Sequence, residues 1–393
     1  MLKRLAAVAV AAGAIAGFAA DALAQQDVKV GYSIGRTGLL GAAVAVQEQA
    51  YILWQEQVNA KGGLNIGGKE KRKIGKFISY DDQSDQGKIP QIYEKLITDD
   101  KVDLLLAPYA TYLHVAITNV IEKHKFPLVG NTASSVLVRD LKARYMYFTE
   151  LLPDAYSKTL VDFLKSEKIT SAAMFTLQLT FNLEMKKFSG PLMKEAGIKV
   201  LVDQEYPPDL KDMTSIVNAI KQAKPDAVLG FSYPGDSVMY MDKGRELKID
   251  SPMQFLLIGP SIPFFAPKYG KNLEGMLSVG HWSPNAKFNG AKAFSDAYQA
   301  RWKEPPDYLD SVIAYVSCQI LEAAVAKAGL DKEGIRNAIA SDTFDTIMGP
   351  VKFTNNNNAT TSPGILQFQN GVNQIVWPPE IATAKYIKKP AWQ

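Results

Sequence analysis

The sequence predicts an α/β protein made of two lobes, each a parallel sheet with helices on both faces. Three observations predict it. Short apolar runs alternate with segments of helical spacing through most of the chain. The alternation pauses at a polar joint, Leu152-Pro153-Asp154, and then restarts. And 393 residues suffice for two separate cores.

Residues 28–34 form an apolar run that ends at Gly35, as a buried strand does. Residues 35–41 are a Gly-rich turn. Residues 42–59 then place Val46, Ala50, Leu53, Trp54 and Val58 on one side of a helix. Strands are predicted over 76–80, 102–107 and 127–130, and helices over 88–98 and 115–124. After the joint, helices are predicted over 156–165, 184–196 and 213–222, and strands over 172–176, 200–205, 227–231 and 253–258. Residues 291–302 and 310–328 read as two further helices. The Asn run 355–358 reads as an exposed turn.

Composition narrows the function classes. Hydrophobic residues make up 47% of the chain and charged residues 21%, which is globular rather than disordered. A net charge of +4 is too small to indicate a nucleic-acid binder. Lys3 and Arg4 precede an apolar stretch over 5–20, and Ala22-Leu23-Ala24 is a small-x-small cleavage site. Residues 1–24 are therefore expected to be a signal peptide, releasing a soluble chain into the periplasm. No Cys follows the site to carry a lipid. Cys318 is the only cysteine, so no intrachain disulfide forms and packing alone holds the fold.

Three stretches carry a resemblance to a known family. They are Val30-Gly31 with its Gly-rich turn, Asn59-Ala60-Lys61-Gly62-Gly63-Leu64, and Tyr80-Asp81-Asp82. Gly259-Pro260, Glu274-Gly275-Met276-Leu277 and Met348-Gly349-Pro350 agree more weakly. Together they resemble the leucine/isoleucine/valine-binding proteins of periplasmic ABC importers, through nearly all of the mature chain. The resemblance implies two doubly wound lobes, a three-crossing hinge (the type I periplasmic binding protein fold) and a ligand in the cleft. By similarity the crossings fall near Glu150, Gly280 and Pro350, giving lobe one as 25–150 and 281–350, and lobe two as 151–280 and 351–393. The implied partners are a small-molecule ligand and inner-membrane permease subunits, with the protein a monomer.

Ligands of open α/β sheets lie beyond the carboxyl ends of the strands, against helix N-termini that favour anions. Two turns of lobe one fit: Tyr109-Ala110-Thr111 after one strand, and Thr132-Ala133-Ser134 after the next. In the family, small and hydroxyl residues there hold a carboxylate, which assigns that role to Thr111, Thr132 and Ser134 beside Ala110. Helix capping is the plainer alternative for each hydroxyl. Phe181 and Tyr233 stand at the lobe-two positions that face the ligand, or else are core aromatics. Leu39 and Leu40 would form an apolar wall. Arg36, in the first turn, either clamps an anionic ligand or is a solvated surface arginine. His281 and Trp282 at the second crossing read as hinge packing.

One departure matters. Amino-acid-binding members carry an acidic residue just after the Gly-Pro of lobe two, to hold the ammonium; here Ser261 stands in that place. An unpaired buried ammonium is costly. The expected ligand is therefore a small apolar or aromatic carboxylate without an α-ammonium. A neutral amino acid or an amide is the alternative ligand, and a periplasmic sensor the alternative role.

Enzymatic chemistry finds little support. Gly63 to Lys69 begins like a phosphate-binding loop, but Glu70 replaces the required hydroxyl and a helix, not a strand, precedes it. His114, His124 and His281 lack metal spacing. Asp81, Asp82 and Asp85 lack the Gly and Glu of a calcium loop. No cofactor and no metal is expected, and the chain is read as a binding protein rather than an enzyme.

Overall fold

The computed structural model describes residues 26–141 and 143–393, so the expected signal peptide lies outside the described residues. Lobe one opens with β1 (Val30–Ser33), buried throughout, and α1 (Ala45–Ala60), which buries Val46, Ala50, Leu53, Trp54 and Val58 along one side. A hairpin follows, β2 (Leu64–Ile66) and β3 (Glu70–Arg72). Its turn holds Gly67 at φ 62° and Gly68 at φ 72°, a left-handed pair suited to glycine. The stretch that begins like a phosphate loop is thus a hairpin tip. The lobe continues through β4 (Ile78–Tyr80), α2 (Ile89–Thr98), β5 (Leu104–Leu105), α3 (Thr111–His124), β6 (Leu128–Gly130), α4 (Leu137–Asp140) and β7 (Met146–Phe148). β1 pairs in parallel with β4 and β5, and β6 with β7.

Lobe two begins at α5 (Pro153–Ser166), whose first residue is a proline that needs no intrahelical acceptor there. Then come β8 (Ser171–Leu177), α6 (Thr180–Glu195), β9 (Lys199–Tyr206), α7 (Thr214–Ala223), β10 (Ala227–Phe231), α8 (Pro234–Leu247), β11 (Met253–Leu256), α9 (Phe265–Tyr269) and β12 (Leu277–Val279). The strands line up β12-β11-β10-β8-β9, all parallel. β8, β10 and β11 are buried almost throughout and mostly apolar, with Thr176 and Gln254 the buried polar exceptions, because helices cover both faces.

The chain then returns to lobe one as α10 (Ala291–Trp302), α11 (Asp310–Ala328), α12 (Lys332–Ser341), β13 (Thr343–Thr346), β14 (Gly349–Thr354) and β15 (Asn357–Asn358). α11 is buried nearly end to end and packs on α1 and α12. Finally β16 (Ile365–Gln369) and β17 (Val372–Trp377) add to lobe two beside β12.

Three details differ from the sequence reading. The lobes are not purely parallel: β4-β1-β5 is a parallel sheet, but β16 and β17 join β12 antiparallel, and β13-β14-β15 pair antiparallel in the sheet that holds β7 and β6. The Asn run is only in part the expected exposed turn: Asn355 and Asn356 form the turn after β14, with Asn355 exposed, and Asn357 and Asn358 form β15. Asn357 is buried and pairs with Phe148 of β7, and Asn356 Nδ2 donates to the Met146 carbonyl at 2.8 Å. Those contacts keep the chain on lobe one past Pro350, so its last passage between sheets lies between Asn358 and Ile365. There Gly280 N donates to the Gly364 carbonyl at 3.1 Å. A Cβ on Gly364 would sit 2.5 Å from the Gly280 oxygen, so the two passages touch only because glycine occupies that point.

Candidate ligand-binding site

A narrow pocket, with a cavity volume of about 20 Å³, lies between the lobes, at the carboxyl ends of their strands. Lobe one supplies Tyr109, Thr132, Ser134, Leu309 and Asp310. Lobe two supplies Phe181, Tyr233 and Ile258, and Glu150 enters from the first passage. Five residues singled out from sequence therefore meet there: Tyr109, Thr132, Ser134, Phe181 and Tyr233. Phe181 reaches the pocket from the first turn of α6, which starts earlier than its apolar spacing indicates, and Tyr233 from the N-cap of α8.

The hydroxyls of lobe one are occupied with one another. Thr111 Oγ1 accepts from Ser134 N at 2.9 Å and donates to the Ser134 carbonyl at 3.1 Å. Thr132 Oγ1 accepts from Ala110 N at 3.0 Å and lies 3.2 Å from Gln47 Oε1. Ser134 Oγ donates to the Leu151 carbonyl. These side chains stitch the two turns together and to the first passage. Ala110 and Thr111 are buried just behind the pocket wall. Ala110 takes φ 69°, which turns the chain into α3. The first amides of α3 still have no acceptor within their helix.

Three expected site residues lie elsewhere. Arg36 forms an ion pair with Glu48 and donates to Ser79 Oγ at 2.8 Å, with its side chain 40% exposed. Leu40 is buried in the lobe-one core, its amide bound to Ser84 Oγ at 3.0 Å. Ser261 lines a separate, wider void of about 400 Å³ with Pro260, Lys303, Glu304 and Tyr308. That void is larger, but the narrow pocket holds the strand-end residues of both lobes, and so the chemistry.

Sequence reasoning missed the two acids. Asp310 begins α11 and Glu150 closes the strand-to-joint segment; both are nearly fully buried. Tyr109 Oη donates to Asp310 Oδ2 at 2.6 Å. Burial, then the neighbouring Asp307, hold the Asp310 carboxyl well above the usual carboxylate range. Glu150 is pushed up to about 7 by burial, although Tyr156 Oη and the Leu151 amide both donate to Oε1. Asp307, two residues ahead of the N-cap Leu309, covers the start of α11: its oxygens accept from the amides of Leu309, Asp310 and Ser311 at 2.6–3.1 Å. The positive end of that helix is thus already occupied. His281, with Nδ1 3.4 Å from Tyr156 Oη, is lowered to about 4 by burial and is neutral. The one available signal was Asp-x-x-Asp at a helix start, which reads as capping alone. With Glu150 and Asp310 in the pocket, a serine at position 261 does not leave it without a carboxylate to meet an ammonium.

Among the described residues no group of three or more His, Cys, Asp or Glu side chains is arranged to hold a metal ion.

A family model described as periplasmic binding protein matches residues 27–370. The Leu/Ile/Val-binding protein homolog 7 of Brucella suis is 26% identical over 411 aligned positions, covering 99% of this chain and all of that one. Among solved structures, a solute binding protein of an ABC transporter from R. palustris, in complex with benzoate, aligns with a TM-score of 0.79 at 20% identity. It covers 92% of this chain and 100% of its own. A branched-chain amino acid transporter substrate binding protein from Streptococcus pneumoniae, in complex with isoleucine, aligns with a TM-score of 0.78 at 18% identity, covering 90% and 100%.

Proposed function

The chain belongs to the periplasmic binding protein family, and from that premise we propose that it captures a compact organic molecule with an apolar or aromatic body and delivers it to the permease of an ABC importer. The observation that carries this reading is the pocket itself, where Tyr109 of lobe one faces the space shared with Phe181 and Tyr233 of lobe two. A ligand touching both sets of rings gains its full contact only when the lobes are together. It therefore shifts the population toward the closed form, which a permease can read. Burying an aromatic body of about 150–200 Å² contributes roughly 4–5 kcal/mol. Release into the periplasm after removal of residues 1–24, action as a monomer and the absence of turnover belong to the same proposal.

The test is mass spectrometry of the small molecule retained by protein purified from the periplasm, followed by Phe181→Ala. Retention of one unchanged compound, lost in the variant, is expected. Conversion of that compound by the protein would point to an enzyme instead.

A second reading keeps the ligand a carboxylate without an α-ammonium, seated on the first amides of α3 beside Thr111, Thr132 and Ser134. The benzoate held by the R. palustris protein is a ligand of that kind. Two acids in the same pocket then have to be protonated, so affinity would rise as pH falls.

A further inference from the structure

Glu150 and Asp310 are the acids of the pocket, and the family resemblance gives neither a role. Each leaves one carboxylate oxygen without a hydrogen bond from any described residue. Glu150 uses only Oε1, for Leu151 N and Tyr156 Oη, and Asp310 uses only Oδ2, for Tyr109 Oη. Glu150 is 4% exposed and Asp310 3%, and what exposure they have opens on the pocket. These oxygens are not sealed within the protein but front the pocket, and displacing water from them is costly unless a ligand donates in its place.

No protein cation does so. Among the described residues no Lys or Arg lines the pocket. Arg36 is spent on Glu48 and Ser79. His281, the basic group nearest to Glu150 through Tyr156, is neutral because it is buried. The amides that begin α11 are taken by Asp307. Around the two acids stand the rings of Tyr109, Phe181 and Tyr233. Aromatic faces attract a desolvated cation and at the same time cover an apolar body.

We propose that the ligand carries a protonated nitrogen, and that the free oxygens of Glu150 and Asp310 receive it beneath the rings of Tyr109, Phe181 and Tyr233. This rests on the pocket being the ligand site. It specifies the chemical class as a small amine with an aromatic or branched apolar body. It also explains why Ser261 can replace an acid: the counter-charge comes from the first passage and from α11 instead. A single cation balances one ionised acid, while burial favours the protonated form of the other, so the closed cleft need hold no unpaired charge.

The experiment compares body-matched pairs on the full mature chain at pH 7.5: benzylamine against benzoate, and isopentylamine against isovalerate. Calorimetry and thermal shift read the binding. Each amine is expected to bind about tenfold or more tightly than its acid. Glu150→Gln and Asp310→Asn, which keep the side-chain shape, are each expected to weaken amine binding by about tenfold while circular dichroism stays unchanged. An acid that binds as well as its amine, or amines that fail to bind, would overturn the proposal. Phe181→Ala separates this from failure of the pocket. If it weakens whichever probe binds while the two acid variants do not, the pocket stands and the cation is wrong. If it leaves binding untouched, the pocket itself is wrong.

Discussion

Ser135 Oγ donates a 2.7 Å hydrogen bond to Glu184 Oε1, and so joins a turn of lobe one to α6 of lobe two. The second oxygen, Oε2, accepts from Val136 N at 2.8 Å. Both residues are buried, so water does not compete for these bonds. Nearby, Arg139 of α4 holds Asp154 of α5 through two bonds at 2.8 and 3.1 Å. Together they tie the two lobes along one side of the cleft.

Glu184→Ala should therefore open the protein without touching the ligand. Opening breaks two charge-assisted bonds, each worth about 1.5–3 kcal/mol. Because the competent closed state becomes rarer, apparent affinity is expected to fall by roughly tenfold or more. Small-angle X-ray scattering of the unliganded variant should show a larger radius of gyration than wild type. An unchanged radius together with unchanged affinity would mean that the bond does not govern closure.

Thr111→Ala should act first on stability. Thr111 Oγ1 bonds both the amide and the carbonyl of Ser134, so its loss strands two buried backbone groups. A cost of about 1–3 kcal/mol is expected, read as a lower midpoint of denaturant unfolding with an unchanged slope. Thr111→Ser restores the oxygen and should restore the midpoint. Full stability in Thr111→Ala would leave the hydroxyl free for a ligand.

What the sequence made legible follows from what is local. The alternation of apolar runs and helical spacing found β8, β10, α1 and α11, whose burial repeats along the chain. It also pointed to Tyr109, Thr132 and Ser134, because strand ends are visible as the points where apolar runs stop. Partners distant in sequence were not visible. Asp310 meets Tyr109 across 201 positions, and Asn357 meets Phe148 from the far end of the chain. Glu150 beside a proline joint reads as a surface acid; only the fold turns it inward. Arg36 shows the converse. Its place in a Gly-rich turn suggested a ligand clamp, whereas Glu48, one helical turn into α1, holds it.

Arg36→Ala is accordingly expected to change ligand affinity by less than about twofold, because the ion pair lies on the open side of α1 and its side chain is 40% exposed. Stability should fall by at most about 1 kcal/mol, and less in high salt. A loss of binding that salt does not alter would place the guanidinium on the ligand after all.

Glu150 gives the unliganded protein a pH dependence of known sign. Its folded carboxyl titrates at about 7, above the ordinary value of 4.5, because burial penalises the charged form. The protonated form is therefore favoured in the folded state. Its contribution to stability is complete below about pH 4.5 and is lost as pH rises through about 7. Asp236, raised to about 6 mainly by burial, acts in the same direction. His114 and His281, both lowered to about 4 by burial, act in the opposite one, their contributions fading as pH falls below 6.5. Only the difference between wild type and Glu150→Gln isolates the one group. Near pH 5 the two should be nearly equal. By pH 8 the variant should be more stable, by on the order of 3 kcal/mol. Saturating amine should cut that advantage by about 1.4 kcal/mol, the worth of a tenfold difference in affinity, since the ligand's charge pairs with the ionised Glu150 of wild type and finds only an amide in the variant. Denaturant titrations at pH 5 and pH 8, with and without benzylamine, measure all of these quantities. A variant that is less stable than wild type at pH 8 without ligand would show that Glu150 is held as a favourable anion, with a partner other than the ligand.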